Sequence, residues 1–526
     1  MAFNFRTFKS TAPSAIATYA FTINYILGVG CLEIPAAMAH GGIGLSIIFI
    51  LSVSVIAAVT AMWQVESSGR ASELTRAVEV RKHRRDESES VFGDESLTLL
   101  SSPAMSPVSP VLGDTDLGTS ARIPFSIETC YEGNELMKIF YGVIGQRFYE
   151  VCLMLYMFSA LWTYAGIFAS SMALAIPIPW VTTAGECDMY SEHESWKCKG
   201  AYWLFLAVFA LVVIPLSCSE MKEQAIVQVS LTLFRFFAIA VMLVTLAAAI
   251  ARHPFSEGSR DAFPYIDRRP PIFDWHGIGQ VFSTSTFSQL FHHSTTPLLS
   301  MLKRKSDARR VFFGAILTTC TLYITLGIFA TLYFGSDVAD VLTLQWMNYT
   351  AESGRRVWYA VIISYLVIMF PPIDLLSAFP LNGVTFGNNL AQSLPMKLRG
   401  PGTFLGRHSK TLRLAARLCA VLPPLIAAAI VRKATLVVQF GGLAAFMLMF
   451  FSPALIQLRS RFRVKKLVAM QPHLAVDGSA RKAVQTPYGS WYSYTVFPIL
   501  VIVVGTGCFL FSLGLLLKDL IWPLFT

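Results

Sequence analysis

Charged residues are scarce in this chain. Asp, Glu, Lys and Arg make up 14% of the 526 residues, whereas hydrophobic residues make up 54% and the mean hydropathy is +0.55. Soluble domains carry about a quarter charged residues. The composition therefore argues against a water-soluble globular protein and predicts an all-α protein that crosses the lipid bilayer many times.

Catalytic motifs are also missing. The sequence has no Gly-x-Ser-x-Gly elbow, no phosphate-binding P-loop and no His-Glu-x-x-His motif. His292 and His293 are adjacent, so on a helix they point about 100° apart, and no Cys, His or carboxylate recurs at ligand spacing. We predict no enzyme, no metal site and no resident cofactor. The net charge of +10 is interpreted as a topology signal rather than a nucleic-acid surface.

Apolar stretches of membrane length follow one another along the chain. Eleven candidates of about 20 residues are Ala15–Ala39, Ile43–Val65, Phe148–Ile176, Ala201–Cys218, Ala225–Ala251, Gly277–Leu302, Val311–Phe334, Val357–Phe379, Leu412–Val431, Thr435–Leu458 and Tyr492–Leu517. The first is too long for a cleavable signal peptide and is expected to stay as a span.

The distribution of Lys and Arg predicts the orientation of these spans. Most of the 42 basic residues fall on one side, which the positive-inside rule assigns to the cytosol. The predicted order is a cytosolic N-terminus (1–14), spans one and two (15–66), a cytosolic loop (67–124), spans three to five (125–251), an extracytosolic loop (252–276), spans six to ten (277–458), a cytosolic loop (459–490), and span eleven with an extracytosolic C-terminus (491–526).

The loop 67–124 is rich in charge, Ser and Pro and is predicted to be disordered. It contains three Ser-Pro pairs, which are candidate sites for kinases. Glu95, Leu99 and Leu100 have the pattern of an acidic dileucine signal that sorting adaptors would read. An accidental leucine pair is an equally open interpretation.

Two features fall on the predicted extracytosolic side. Cys187 and Cys198 lie in the loop after span three, where an oxidising compartment would let them form a disulfide, although two unpaired thiols remain possible. Asn348 begins the chain's only Asn-x-Ser/Thr sequon, in the loop after span seven. We expect it to be glycosylated.

The first span is interrupted where a simple anchor would be uniformly apolar. Gly28, Gly30, Glu33 and Pro35 lie in its middle, and span six has a corresponding run that includes His292, His293 and Pro297. Irregular backbone at this depth is tolerated only where it faces protein or a water-filled cavity. Paired broken helices are typical of a transporter's substrate site, although close packing of small residues is the alternative.

Ionisable residues within the spans are functional candidates, because each is costly in the bilayer unless it is paired or hydrated. Glu33, Arg235, His292, His293 and Asp374 are the candidates singled out. Arg stays protonated, so proton coupling falls to Glu33 or a histidine.

Four segments carry a resemblance to a known family: 24–36, 148–156, 287–294 and 379–389. In these segments the chain resembles the amino acid/auxin permeases of the amino acid–polyamine–organocation superfamily. The resemblance implies eleven spans in a 5+5 inverted-repeat, LeuT-like fold, with substrate held between unwound spans one and six. The residues expected to bind it are Asn24, Gly28, Val29, Gly30, Tyr156, Ser285 and Ser288.

The resemblance also implies that spans one, five and eight meet near a site that binds sodium in some carriers. A basic residue on span five replaces the ion in others. We therefore expect Arg235 to pair with Asp374 and the carrier not to use sodium; a purely structural ion pair is the alternative. Glu33 departs from the apolar residue expected in the family, and it is a coupling group, a partner for a substrate amino group, or a water-facing side chain.

Two functions follow. The first is alternating-access transport of an amino acid or related small solute, coupled to protons and independent of sodium. The second is a membrane sensor or scaffold that binds solute and signals through its cytosolic loop. The family and the dileucine pattern together favour the lysosomal or vacuolar membrane.

Overall fold

The structure is a computed structural model, and the part of the chain that it describes folds entirely into helices and connecting loops. It describes residues 14–93, 127, 130–187, 189, 195–218, 225–252, 270–349, 357–394, 409–432, 434–470 and 485–521. The sorting-signal residues Glu95, Leu99 and Leu100 and the Ser-Pro pairs lie outside these ranges.

The α-helices are α1 (Ser14–Ile26), α2 (Ile34–Gly41), α3 (Ile43–Gly93), α4 (Gly133–Ala175), α5 (Trp196–Cys218), α6 (Ala225–Arg252), α7 (Ile278–Ser288), α8 (Thr295–Met301), α9 (Ala308–Phe334), α10 (Trp358–Ser393), α11 (Ser409–Ile430), α12 (Ala434–Phe446), α13 (Ser452–Met470) and α14 (Val496–Ile521). A π-helical turn, Met447–Phe451, joins α12 to α13.

Within the described ranges, nine helices are long and apolar enough to cross a membrane, or ten if the bent pair α1 and α2 forms one span. The expected number was eleven. The difference lies in Gly277–Leu302, which is divided between α7 and α8, so that neither helix reaches the length of a bilayer span.

The broken helices lie inside the bundle. α7 packs against α2, α3, α12 and α14, while α9 packs along α1, α2, α3 and α6. α4 contacts α5, α10, α11 and α12. Both interruptions are therefore surrounded by continuous helices, which is the setting that irregular backbone needs at membrane depth.

The predicted loop boundary at residue 67 is wrong, because α3 continues without interruption to Gly93. Glu66 and Arg70 are fully buried and form an ion pair of 2.7 Å between Glu66 Oε2 and Arg70 Nη2. Arg70 also donates to Gln457 Oε1 at 2.7 Å, and the Ser493 hydroxyl bonds to Glu66 Oε1. These contacts give the polar turns of α3 buried partners on α13 and on the segment before α14.

Two other helix boundaries also differ from those predicted. α13 continues to Met470, past the expected loop start at 459. α4 begins at Gly133, before the expected start of span three, and its first turns bend away at Gly142. The φ of +72° at Gly142 is a conformation that side chains other than glycine's disfavour. The hydrophobic pattern does not predict these two extensions, because the end of α13 and the start of α4 contain polar residues.

A disulfide joins Cys187 and Cys198 in the connection between α4 and α5. Both residues are buried there. Asn348 ends a 3-10 helix, Leu342–Asn348, in the connection between α9 and α10. The structure thus pairs the two cysteines, and glycosylation of Asn348 stays a prediction.

The buried ion pair between Glu66 and Arg70 on α3 leads to a stability prediction. Arg70→Ala leaves the Glu66 carboxylate buried without its cation, which costs about 3–5 kcal/mol of folding stability. Arg76→Ala, on the exposed face of the same helix, is the matched control and should change stability by less than about 0.5 kcal/mol. Thermal unfolding of the purified protein in detergent measures both. Equal unfolding temperatures for the two variants would contradict the assigned role of the pair.

Candidate functional site

The first break separates α1 from α2. α1 ends at Ile26, residues Val29–Leu32 form a 3-10 turn, and α2 starts at Ile34 with Pro35 in its first turn. The two halves are bent by 54°. Pro35 lacks a backbone N–H and is tolerated at a helix start, whereas it would break a continuous helix at this place. Sequence and geometry therefore agree on the position of the interruption.

The second break separates α7 from α8. α7 ends at Ser288, and His292–Ser294 form a 3-10 turn before α8 begins at Thr295. The side chain of Gln289 within this break donates to Ser54 Oγ at 2.7 Å, on α3. The interruption is thus tied to a neighbouring continuous helix.

The two breaks touch each other at Gly30 and Ser288. A Cβ added to Gly30 would lie 2.5 Å from Ser288 Oγ and 3.0 Å from its Cα. Any larger residue at Gly30 would force the two segments apart. Gly30 thus allows the two breaks to pack closely at Ser288, and its predicted contact with a substrate stays a prediction.

Arg235 on α6 holds the end of α1. Its guanidinium donates from Nη1 to the carbonyl oxygen of Asn24 at 3.0 Å and to that of Leu27, and from Nη2 to Asp374 Oδ1 at 2.5 Å. Arg235 and Asp374 are both nearly fully buried. The C-terminal end of a helix carries unpaired carbonyls and a partial negative charge. A fixed cation at this point satisfies both.

Glu33 lies on the opposite side of the same break, just before α2. It is 3% exposed, so it does not face bulk water in this conformation. Within the described part of the chain, neither carboxylate oxygen has a hydrogen-bond partner. The carboxylate that acts on it electrostatically is Asp340, in the connection after α9. A buried carboxyl without a donor or cation is suited to hold a proton or to receive a cationic group.

The two histidines of the second break point into different surroundings. His292 Nε2 is 2.8 Å from Thr60 Oγ1 on α3. The His293 ring lies between Tyr25 and Tyr156, with centroid distances of 6.2 and 5.7 Å. Among the described residues, no group of three or more His, Cys, Asp or Glu side chains is arranged to hold a metal ion.

Polar and aromatic side chains border the first break at Gly28. A Cβ there would come no closer than 3.9 Å to its nearest neighbour, the Tyr164 hydroxyl, which Asn382 approaches at 3.4 Å. Tyr156 packs 5.5 Å from the Phe287 ring. The structure thus brings Gly28 and Tyr164 together and adds Asn382, which sequence reasoning did not place in the site.

The other residues predicted to bind substrate are buried or already hydrogen-bonded within the protein, or form part of the first break. The Ser288 hydroxyl donates to the Thr284 carbonyl at 2.7 Å within α7. Ser285 is buried on the same helix. The Asn24 carbonyl is used by Arg235, and Val29 begins the 3-10 turn of the first break.

Comparison with known proteins gives the family. The family model described as "Transmembrane amino acid transporter protein" matches residues 130–472. The chain belongs to this family. Transmembrane amino acid transporters are not enzymes, and the family expected from the sequence is confirmed.

Curated relatives of this family member cover most of its length. Transmembrane protein 104 homolog of Drosophila melanogaster is 23% identical over 462 residues, covering 82% of this chain and 86% of the relative. The Dictyostelium discoideum homolog is 22% identical over 526 residues, covering 94% and 95%. Transmembrane protein 104 of Homo sapiens is 23% identical over 388 residues, covering 72% and 74%.

The contact between Arg235 and Asp374 can be tested in this family member by a double-mutant cycle. Asp374→Asn removes the counter-charge of a buried guanidinium and should cost about 3–5 kcal/mol of stability. Asp337→Asn, at an exposed aspartate after α9, is the control. Adding Arg235→Gln to Asp374→Asn should restore part of the loss, since the two residues share one interaction. An Asp374→Asn protein with wild-type stability and activity would contradict the pairing.

Proposed function

We propose that this protein is a secondary active transporter of amino acids or related small organic solutes, coupled to protons, independent of sodium and working by alternating access. The observation that carries the proposal is the contact of two broken helices inside a bundle of continuous ones. Such breaks expose backbone dipoles to a bound solute at membrane depth. The amide end of α2 favours a carboxylate group.

The independence of sodium rests on Arg235. Its guanidinium occupies the position where the α1 carbonyls and Asp374 would otherwise form an anionic site. Arg remains charged at all usable pH values. A permanently bound protein cation leaves that site no need for an ion from solution.

The proton coupling rests on Glu33. This carboxyl is buried and lacks a hydrogen-bond partner among the described residues, so no described side chain donates to its charged state in the conformation seen here. Taking up a proton removes that charge before the site closes. The competing role of Glu33 is a contact with the amino group of the substrate. In that role the carboxylate would bind the substrate itself, and substrate binding rather than the proton gradient would depend on Glu33.

Uptake into proteoliposomes tests the function. A radiolabelled amino acid mixture should accumulate in wild-type vesicles only with an inward proton gradient, and replacing sodium by choline should change nothing. Glu33→Gln should lose the gradient-driven accumulation at least tenfold. Glu150→Gln is the control, because Glu150 is also a buried carboxylate but is paired with Arg147 at 3.0 Å within α4.

Three outcomes would count against parts of this proposal. Uptake that requires sodium would contradict the role of Arg235. Equal losses in both glutamine variants would remove Glu33 as the coupling group. Solute binding without flux under any gradient would favour the sensor or scaffold, signalling through the segment that follows α3 and through the kinases or adaptors that bind it.

The proposed membrane is lysosomal or vacuolar, with the connections containing the Cys187–Cys198 disulfide and Asn348 on the luminal side. Expression in human cells should give a protein whose electrophoretic mobility increases after glycosidase treatment. Asn348→Gln should abolish that shift, whereas Asn134→Gln, at the start of α4 on the proposed cytosolic side, should retain it. A shift that persists in Asn348→Gln would contradict this assignment.

A further inference from the structure

Tyr323 on α9 lies between the two breaks, although no sequence pattern singled it out. Its hydroxyl is 2.8 Å from the Ile26 carbonyl oxygen and 3.0 Å from the Ser288 carbonyl oxygen. These are the last residues of α1 and α7. The Tyr323 side chain is itself buried. One hydroxyl therefore reaches the C-terminal ends of both broken helices.

The two carbonyl ends need a donor between them. The final carbonyls of a helix lack intrahelical partners and form the negative end of its dipole. Two such ends brought together in a buried region repel each other, and an unsatisfied carbonyl there is costly. A phenol carries one proton, so Tyr323 can serve both carbonyls only while they lie close together.

α9 is also fastened to the first broken helix on both sides of its break. The Tyr19 and Thr318 hydroxyl oxygens are 2.6 Å apart, and Thr331 donates to the Pro35 carbonyl at 3.4 Å. α9 thus lies along both α1 and α2 and is hydrogen-bonded to each of them. Tyr323 extends this connection to the second broken helix.

We propose that Tyr323 is a positioning residue for the transport reaction, whose hydroxyl holds the two helix breaks together and stabilises the conformation in which they meet. This role rests on the proposed function. The contact itself is testable without a transported substrate. Without the hydroxyl, the two carbonyl ends separate more often and water or reagents reach the first break.

Cys31 supplies a native reporter. It lies in the 3-10 turn of the first break and is 1% exposed. Labelling of the purified full-length protein with N-ethylmaleimide, quantified for the Cys31 peptide by mass spectrometry, measures how often the break opens. Tyr323→Phe should raise the labelling rate about fivefold to tenfold, the range expected for one lost buried hydrogen bond.

Tyr19→Phe is the matched control. It makes the same substitution and also removes a hydrogen bond between α1 and α9, but it leaves both breaks untouched. Its Cys31 labelling should stay within twofold of wild type. Equal labelling in Tyr323→Phe and Tyr19→Phe would overturn the proposal. A Tyr323→Phe protein that fails to fold while Tyr19→Phe folds would also overturn it, because the hydroxyl would then serve the fold in every state.

A second variant separates the breaks without touching the hydroxyl. Gly30→Ala places a methyl group 2.5 Å from Ser288 Oγ, and it should also increase Cys31 labelling. Unchanged labelling in this variant would contradict the link between break contact and Cys31 protection. Absence of uptake together with the expected labelling would remove the transport function but leave Tyr323 as the residue that joins the breaks.

Discussion

The structure depends on satisfying the backbone groups that two broken helices release inside the membrane. A continuous helix pairs these groups internally, but α1 and α7 end within the bundle and leave carbonyls without intrahelical partners. Lipid offers no donors. The protein supplies them from neighbouring continuous helices: Arg235 from α6 at the end of α1, and Tyr323 from α9 at both ends.

These two donors differ in what they allow. Arg235 brings a charge that Asp374 balances, so its hydrogen bonds are charge-assisted and strong. Tyr323 brings a single neutral proton that two carbonyls share. The end of α1 is therefore fixed to α6 and α10 by charge-assisted bonds, whereas the ends of α1 and α7 are joined by one neutral hydroxyl and by the packing of Gly30 against Ser288. In the proposed alternating-access cycle, such an asymmetry would let the contact between α1 and α7 open while the end of α1 stays bound to Arg235.

The sequence predicts the conspicuous parts of this arrangement. Glycine, proline and charged residues stand out in an apolar span, so the first break can be inferred from the residues alone, whereas the Arg235–Asp374 pairing follows from what the family resemblance implies. Tyr323, Thr60 and Asn382 could not, because tyrosine, threonine and asparagine occur in spans for many reasons and only their neighbours define a role. The number of spans and the ends of the helices are predicted less accurately, for a related reason. Hydropathy counts Gly277–Leu302 as one span although neither α7 nor α8 reaches bilayer length, and it ends a helix such as α3 where buried polar pairs begin.

The positions of the charges also separate structural neutralisation from coupling. Arg235 cannot lose its proton, so the site that it shares with Asp374 keeps the same charge throughout a cycle. Glu33, on the other side of the same break, is buried without a compensating partner among the described residues. A cycle driven by an ion gradient needs a group whose charge changes between the two faces of the membrane. In the cycle proposed above that group is Glu33, and the fixed pair beside it would let its protonation alter the charge of the site while the end of α1 stays bound to Arg235.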